Sequence, residues 1–145
     1  MDSFQGAVLN VKLKYLDRWT AKRQEFAQLY RELLAGGNIR IPDDRPESES
    51  VYHLFTPWVK NRDAVGEELV ARRGVQTAVH YPVPVHLQKA YAYLGYKPGS
   101  LPHTEKACAE VISMPLFPEM SREQVLYAAD ALAEAVDRAA PANFS

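Results

Sequence analysis

The sequence predicts an α+β fold of the α/β-sandwich kind, a small three-stranded sheet covered by helices. Apolar residues recur at helical spacing near both ends of the chain, and short runs rich in β-forming residues lie between them. The resulting order is helix, helix, strand, helix, strand, helix, strand, helix, in which each strand has a helical layer near enough to cover its apolar face. A length of 145 residues suits one domain and leaves no room for two.

The first helix opens at Asp2, with Gln5 three residues on in capping-box position. Phe4, Val8, Val11, Tyr15 and Trp19 then form one stripe, and Phe26, Leu29, Tyr30, Leu33 and Leu34 a second, closed by Gly36-Gly37. The spacing leaves open two helices or one kinked helix, with Leu16-Asp17-Arg18 as the place for a break. Residues 38–50 are polar, contain Pro42 and Pro46, and read as a surface loop. The run from Val51 to Val59 is a strand interrupted by Pro57, which marks an edge or a bulge. Arg62 to Arg73 fits a helix ended by Gly74, and residues 75–81 fit a second strand. A helical stretch at 107–111 leads to a short third strand, Ile112-Ser113-Met114. Ser121 with Gln124 forms another capping box and opens a last helix that faces inward with Val125, Ala128, Ala129, Leu132 and Val136.

Composition excludes some functions. The formal net charge is −1 with 24% charged residues, so the basic bias of a nucleic-acid or membrane-surface binder is missing. Lys60, Arg62, Arg72 and Arg73 are interleaved with Asp63, Glu67 and Glu68, a mixture that reads as a solvated helix face. The one cysteine, Cys108, cannot form an intramolecular disulfide and sits among alanines as buried filler. No secretory leader pattern and no bilayer-spanning apolar run is present, so the expected location is cytoplasmic.

The informative stretch is His80-Tyr81-Pro82-Val83-Pro84-Val85-His86-Leu87-Gln88-Lys89-Ala90-Tyr91. Pro82 and Pro84 stiffen the backbone and deny it ladder donors, which makes a rigid loop after a strand. Such a loop holds side chains in place at little further entropic cost. His80, Tyr81 and His86 offer donors, an acceptor and a stacking surface, equipment suited to a polar, ring-containing ligand such as a sugar nucleotide. The competing reading is that His80 and Tyr81 close a core edge with satisfied hydrogen bonds. Zinc is disfavoured, because His80 and His86 have no third ligand at an established spacing. His53 reads as structural within its strand, and His103, beside Pro102, as exposed. No Ser/His/Asp triad, glycine-rich phosphate loop or acidic pair is present, so no catalytic residue is assigned.

Segments in this order resemble the DegT/DnrJ/StrS-type sugar aminotransferases, a fold-type I pyridoxal-phosphate group. Met1-Asp2-Ser3-Phe4-Gln5-Gly6-Ala7-Val8-Leu9 with Lys12-Leu13 and Leu16 is similar to the family's Asp-x-Leu-Gln-Ala-Ala-x-Leu helix and its Lys-Leu-x-x-Leu. Tyr52-His53-Leu54-Phe55 resembles its Tyr-His-Leu strand start. Residues 75–91 with Gly95-Tyr96 resemble its His-Tyr-Pro-x-Pro-x-His-Leu-Gln-x-x-Tyr loop, the most specific of the matches. Residues 112–120 match its Ser-Leu-Pro-hydrophobic-x-Pro segment.

The resemblance implies that residues 1–145 are a single C-terminal small domain, with the large cofactor-binding domain of the parent enzyme absent. That domain would carry the lysine that binds pyridoxal phosphate covalently and most of the phosphate contacts. None of the seven lysines here follows the family's pattern for that residue, and Lys12 and Lys14 are expected to face solvent. The expectation is therefore a chain inactive alone, with no cofactor-binding residue and no bound cofactor. In the parent, His80, Tyr81 and His86 would be substrate-binding, with nucleotide sugar and amino donor as partners. The assembly is expected to be a homo-oligomer, without nucleic acid or membrane. The family's dehydratase branch and a free-standing binding or interaction module are the alternative readings.

Overall fold

The computed structural model describes residues 2–139, so Met1, the first residue of the amino-terminal motif, lies outside it. Helix α1 (Ser3–Leu13) begins at the expected capping box: the Gln5 amide donates to Asp2 Oδ1 at 2.7 Å, and the Asp2 amide to Gln5 Oε1 at 3.3 Å. It stops at Lys14, and α2 (Leu16–Leu33) follows, so the stretch forms two helices whose break falls just ahead of Leu16-Asp17-Arg18. Gly36, at φ +81°, turns the chain out of α2. Helix α3 (Arg62–Arg73) has the expected bounds, and Gly74 closes it at φ +63°. Helix α4 (Pro102–Glu110) is longer than its apolar pattern shows, because Pro102 starts it in the first turn. In α5 (Arg122–Ala139) the second capping box is made, with Gln124 N–H donating to Ser121 Oγ at 3.3 Å and Ser121 N–H to Gln124 Oε1 at 2.9 Å.

The expected three-stranded sheet does not form as regular strands. Among the described residues the extended segments meet only through isolated antiparallel bridges: Arg40 with Trp58, Phe55 with Met114, Trp58 with Val111, and Ala78 with Ser113. Pro57 is one physical reason. The Val59 amide donates to Glu110 C=O at 2.9 Å, Ile112 to Pro57 at 3.0 Å and Met114 to Phe55 at 2.9 Å. Pro57 has no N–H to return to Ile112, so the ladder is broken at its middle rung. Tyr52, at φ +45°, bends the chain before pairing starts, and the 75–81 segment is bridged at Ala78 alone. Nor does Pro57 mark an edge, since Trp58 exchanges hydrogen bonds with Arg40 on the other side, at 3.0 and 2.7 Å.

Strand-like alternation survives this loss. Phe55, Pro57 and Val59 are buried while Thr56 and Trp58 are half-exposed. Ile112 and Met114 join the hydrophobic core, and Ser113 between them does not. Helix α5 packs against both α2 and α3 and buries Val125, Ala128, Ala129, Leu132 and Val136, as its pattern requires, together with Ala131 and Ala135. Tyr30 of α2 stacks on Phe55 with ring centroids 4.7 Å apart, and its hydroxyl donates to Pro115 C=O at 3.0 Å. Burial pushes that hydroxyl well above the usual tyrosine range.

Three surface assignments change. Arg62 does not belong to a solvated face: it is buried, pairs with Asp63 at 2.6 Å, and its Nη1 donates to the carbonyls of Cys108 and Val111 at 3.2 Å each. It thereby satisfies carbonyls at the C-terminal end of α4. Cys108 is half-buried rather than enclosed, and His53 is exposed in a bend rather than set in a strand.

Tyr30→Phe keeps the packed ring and removes the hydroxyl, leaving Pro115 C=O without its donor. Urea denaturation is expected to show a loss of about 1–3 kcal/mol with an unchanged m-value.

Candidate functional site

The face of the extended layer that carries Ser113 holds the site. Ser113 is buried, and its register opposite Ala78 brings its Oγ within 2.8 Å of His80 Nδ1. The peptide bond between His80 and Tyr81 is cis. The His80 and Tyr81 rings meet edge to face, with centroids 5.7 Å apart and an interplanar angle of 81°. Tyr81 is 70% exposed. The reading of these two residues as closing a core edge is therefore half met: His80 has its partner, and Tyr81 is open.

His86 occupies a different position. It lies in a 3-10 turn (Val85–Leu87), only 8% exposed, with Nε2 at 3.1 Å from Glu105 Oε1 and the ring edge-on to Tyr96 at 5.9 Å. Its Nδ1 is buried without a hydrogen-bond partner among the described residues. His80 and Tyr81 thus form an exposed pair, while His86 is an enclosed ring with partners of its own.

Sequence reasoning missed Glu105. From the first turn of α4 its carboxylate accepts from the Gly99 amide at 2.8 and 3.0 Å and from the Leu101 amide at 3.1 Å. Those backbone donors, with His86 beyond them, hold its carboxyl below the usual range. A Glu three residues after Pro102 carries an N-terminal capping signal, but nothing in the spacing links it to a histidine 19 residues upstream.

The lysines do not fit covalent binding of a carbonyl cofactor. Lys12, Lys14, Lys60, Lys89, Lys97 and Lys106 are exposed, and the half-buried Lys22 is paired with Glu25 at 2.7 Å. None is buried in a pocket of the kind that activates an amine for Schiff-base formation. No group of His, Cys, Asp and Glu among the described residues has the arrangement of a metal site.

A helix-backed extended layer thus presents a histidine–tyrosine pair beside a buried serine. The model of the DegT/DnrJ/EryC1/StrS aminotransferase family matches residues 1–133, and the chain belongs to that family. It is 47% identical over 124 residues to the erythromycin biosynthesis sensory transduction protein EryC1 of Saccharopolyspora erythraea, covering 85% of this chain and 34% of that protein. It is 41% identical over 139 residues to the dTDP-3-amino-3,4,6-trideoxy-alpha-D-glucose transaminase of Streptomyces venezuelae, covering 95% of this chain and 36% of that protein. The crystal structure of S. venezuelae DesV in complex with a ketimine intermediate superposes with a TM-score of 0.90 at 41% identity, over 95% of this chain and 37% of that one. Other solved family members are described in PLP-bound and PMP-bound forms. The chain spans about a third of the length of the curated relatives it matches.

Glu105 gives the region an acid sensitivity of defined sign. Its folded pKa lies below its unfolded value, so its contribution is present above about pH 4.3 and is lost as pH falls through the folded pKa. Glu105→Gln is expected to be less stable than the parent at neutral pH. The gap between their denaturation midpoints should close as pH drops below about 4.3.

Proposed function

We propose that this chain is the C-terminal small domain of a pyridoxal-phosphate-dependent nucleotide-sugar aminotransferase, inactive by itself. The parent reaction moves an amino group from an amino acid, commonly glutamate, to a keto-sugar nucleotide. The observation that carries this reading is the open Tyr81 beside a His80 anchored on Ser113, within the loop whose residues match the family motif. In the parent this loop closes one side of the substrate cleft. His80 Nε2 and the Tyr81 hydroxyl hydrogen-bond the nucleotide sugar, and His86 supports them from behind. The pyridoxal phosphate is held by the part of the relatives outside this third, in keeping with the lysines found here. No helix among the described residues is long and apolar enough to cross a membrane. A cytoplasmic homo-oligomer fits a family acting on nucleotide sugars.

Each part of this reading has its measurement. Incubation with pyridoxal phosphate followed by borohydride reduction should give no stoichiometric lysine adduct by mass spectrometry; a single specific adduct with amino-donor turnover would falsify the inactivity. A titration with dTDP-glucose followed by NMR should move the amides around His80, Tyr81 and His86 first. With only part of the contacts available, the affinity is expected to be no better than about millimolar. Tyr81→Phe should weaken the response without unfolding the chain. A stability loss above about 1 kcal/mol together with a silent titration would instead mark the hydroxyl as a structural group.

Self-association is the other expected outcome. Phe4 (78% exposed), Val8 and Val11 lie uncovered on α1, and apolar patches above a few hundred Å² usually find a partner. A concentration-independent monomer in sedimentation would count against it.

A further inference from the structure

The segment from His80 to His86 is tied down at both ends by imidazoles. His80 Nδ1 meets Ser113 Oγ at 2.8 Å, and His86 Nε2 meets Glu105 Oε1 at 3.1 Å. Between them Pro82 and Pro84 fix two φ angles, so few soft dihedrals separate the His86 anchor from Tyr81. Tyr81, Val83 and Val85 are all exposed, so the span has little packing of its own to order it. Its conformation depends on the anchors.

The two anchors differ in strength. The His80 contact is to a hydroxyl, at an exposed residue. The His86 contact is to a carboxylate, with the ring enclosed, and hydrogen bonds to ionised acceptors are roughly twice as strong as neutral ones. A carboxylate can only accept, so Nε2 donates the shared hydrogen, while Nδ1 is buried without a partner among the described residues. Glu105 is held in turn by the Gly99 and Leu101 amides in the turn that leads into α4. One side chain therefore joins the loop, that turn and α4.

We propose that Glu105 is a positioning residue of the substrate site: acting through His86, it holds the Pro82–Pro84 span so that His80 and Tyr81 are presented together to a nucleotide sugar. This rests on the substrate reading above. It adds a residue that touches no substrate and that the motif does not mark.

The test uses the 145-residue chain as parent, Glu105→Ala, Glu105→Gln and Ser113→Ala. One readout is 15N NMR. The parent should show a protected His86 Nε2–H and relaxation at the Tyr81, Val83 and Val85 amides like that of the helices. Glu105→Ala should lose the imidazole signal and loosen those amides while Ile112 and Leu132 keep their shifts. Glu105→Gln leaves one neutral oxygen for the donors of His86, Gly99 and Leu101 and should loosen the same amides to an intermediate degree; if Glu105→Ala does not fold, a Glu105→Gln loop as ordered as the parent's overturns the proposal. Ser113→Ala should loosen the Tyr81 end and leave the His86 signal in place. The second readout is dTDP-glucose affinity, expected to weaken about tenfold in Glu105→Ala, the size of one lost hydrogen bond. An ordered loop in Glu105→Ala, or unchanged affinity despite a loosened loop, overturns the proposal. A loosened loop in Glu105→Ala with a parent silent to dTDP-glucose leaves Glu105 as the loop's anchor and overturns the substrate reading instead.

Discussion

The meeting of residues 55–59 with residues 110–114 sets the position of nearly everything else. It joins parts of the chain more than 50 residues apart through the Val59, Ile112 and Met114 amides. Its register sends Ile112 and Met114 into the core and turns Ser113 the other way, toward His80. A slip of one residue would reverse those faces, burying a hydroxyl among aliphatic groups and leaving His80 without its anchor. Hydrophobic burial of Ile112 and Met114, about 1.5–3 kcal/mol for each side chain, opposes that slip more strongly than the incomplete ladder does. The core therefore enforces the geometry of the site, even though Pro57 costs the sheet its regularity.

Charge contributes differently on the two sides of α3. Facing α5, Arg73 pairs with Asp130 at 2.9 Å and Glu134 at 2.7 Å, and Arg138 with Glu68 at 3.0 Å and Glu134 at 3.1 Å. Arg138 chiefly holds the Glu68 carboxyl below its ordinary range, and Arg73 does the same for Glu134. These groups are solvated, so each pair adds little and salt screens it; the apolar seam beneath sets the stability. At the N-terminal end of α3, Arg62 is buried, and its guanidinium replaces water for two carbonyls. Truncating it would strand those acceptors, a larger loss than removing any one surface pair.

Helices were legible in the sequence because their signals are local. The Asp2/Gln5 and Ser121/Gln124 boxes, the stop at Gly74 and the inward face of α5 all involve residues within a few turns of one another. The extended layer was half legible. β-forming runs mark where the chain is extended, but whether a ladder closes depends on which residue faces Pro57, and that is a long-range fact. The same limit hid Arg62 and Glu105. Each is an ordinary charged residue in a helical first turn, and its role comes from a partner brought near by folding. His80 and Tyr81 stood out because two flanking prolines restrict the backbone without help from elsewhere. Their split from His86, one pair open and one ring enclosed, required the structure.

Two of the exposed apolar features are physical opposites. Helix α1 buries none of its residues, and an isolated helix of 11 residues is marginal in water. Phe4, Ala7, Val8 and Val11 fall on one side at 100° per residue, and Leu9 and Leu13 on the other, where with Leu16 and Trp19 they line a groove against α2. A capping box adds about 0.5–2 kcal/mol, too little to replace a packed face. α1 therefore has apolar surface to bury on two sides and gains its stability when something covers it. The Tyr81–Val85 span exposes apolar groups as well, yet prolines and two imidazole anchors already order it. A segment ordered before its ligand arrives loses little entropy on binding, whereas a helix that needs a cover gains order from it. The first property suits a recognition loop and the second a packing surface, which is why the proposed substrate site falls at residues 80–86 and the proposed association surface on α1.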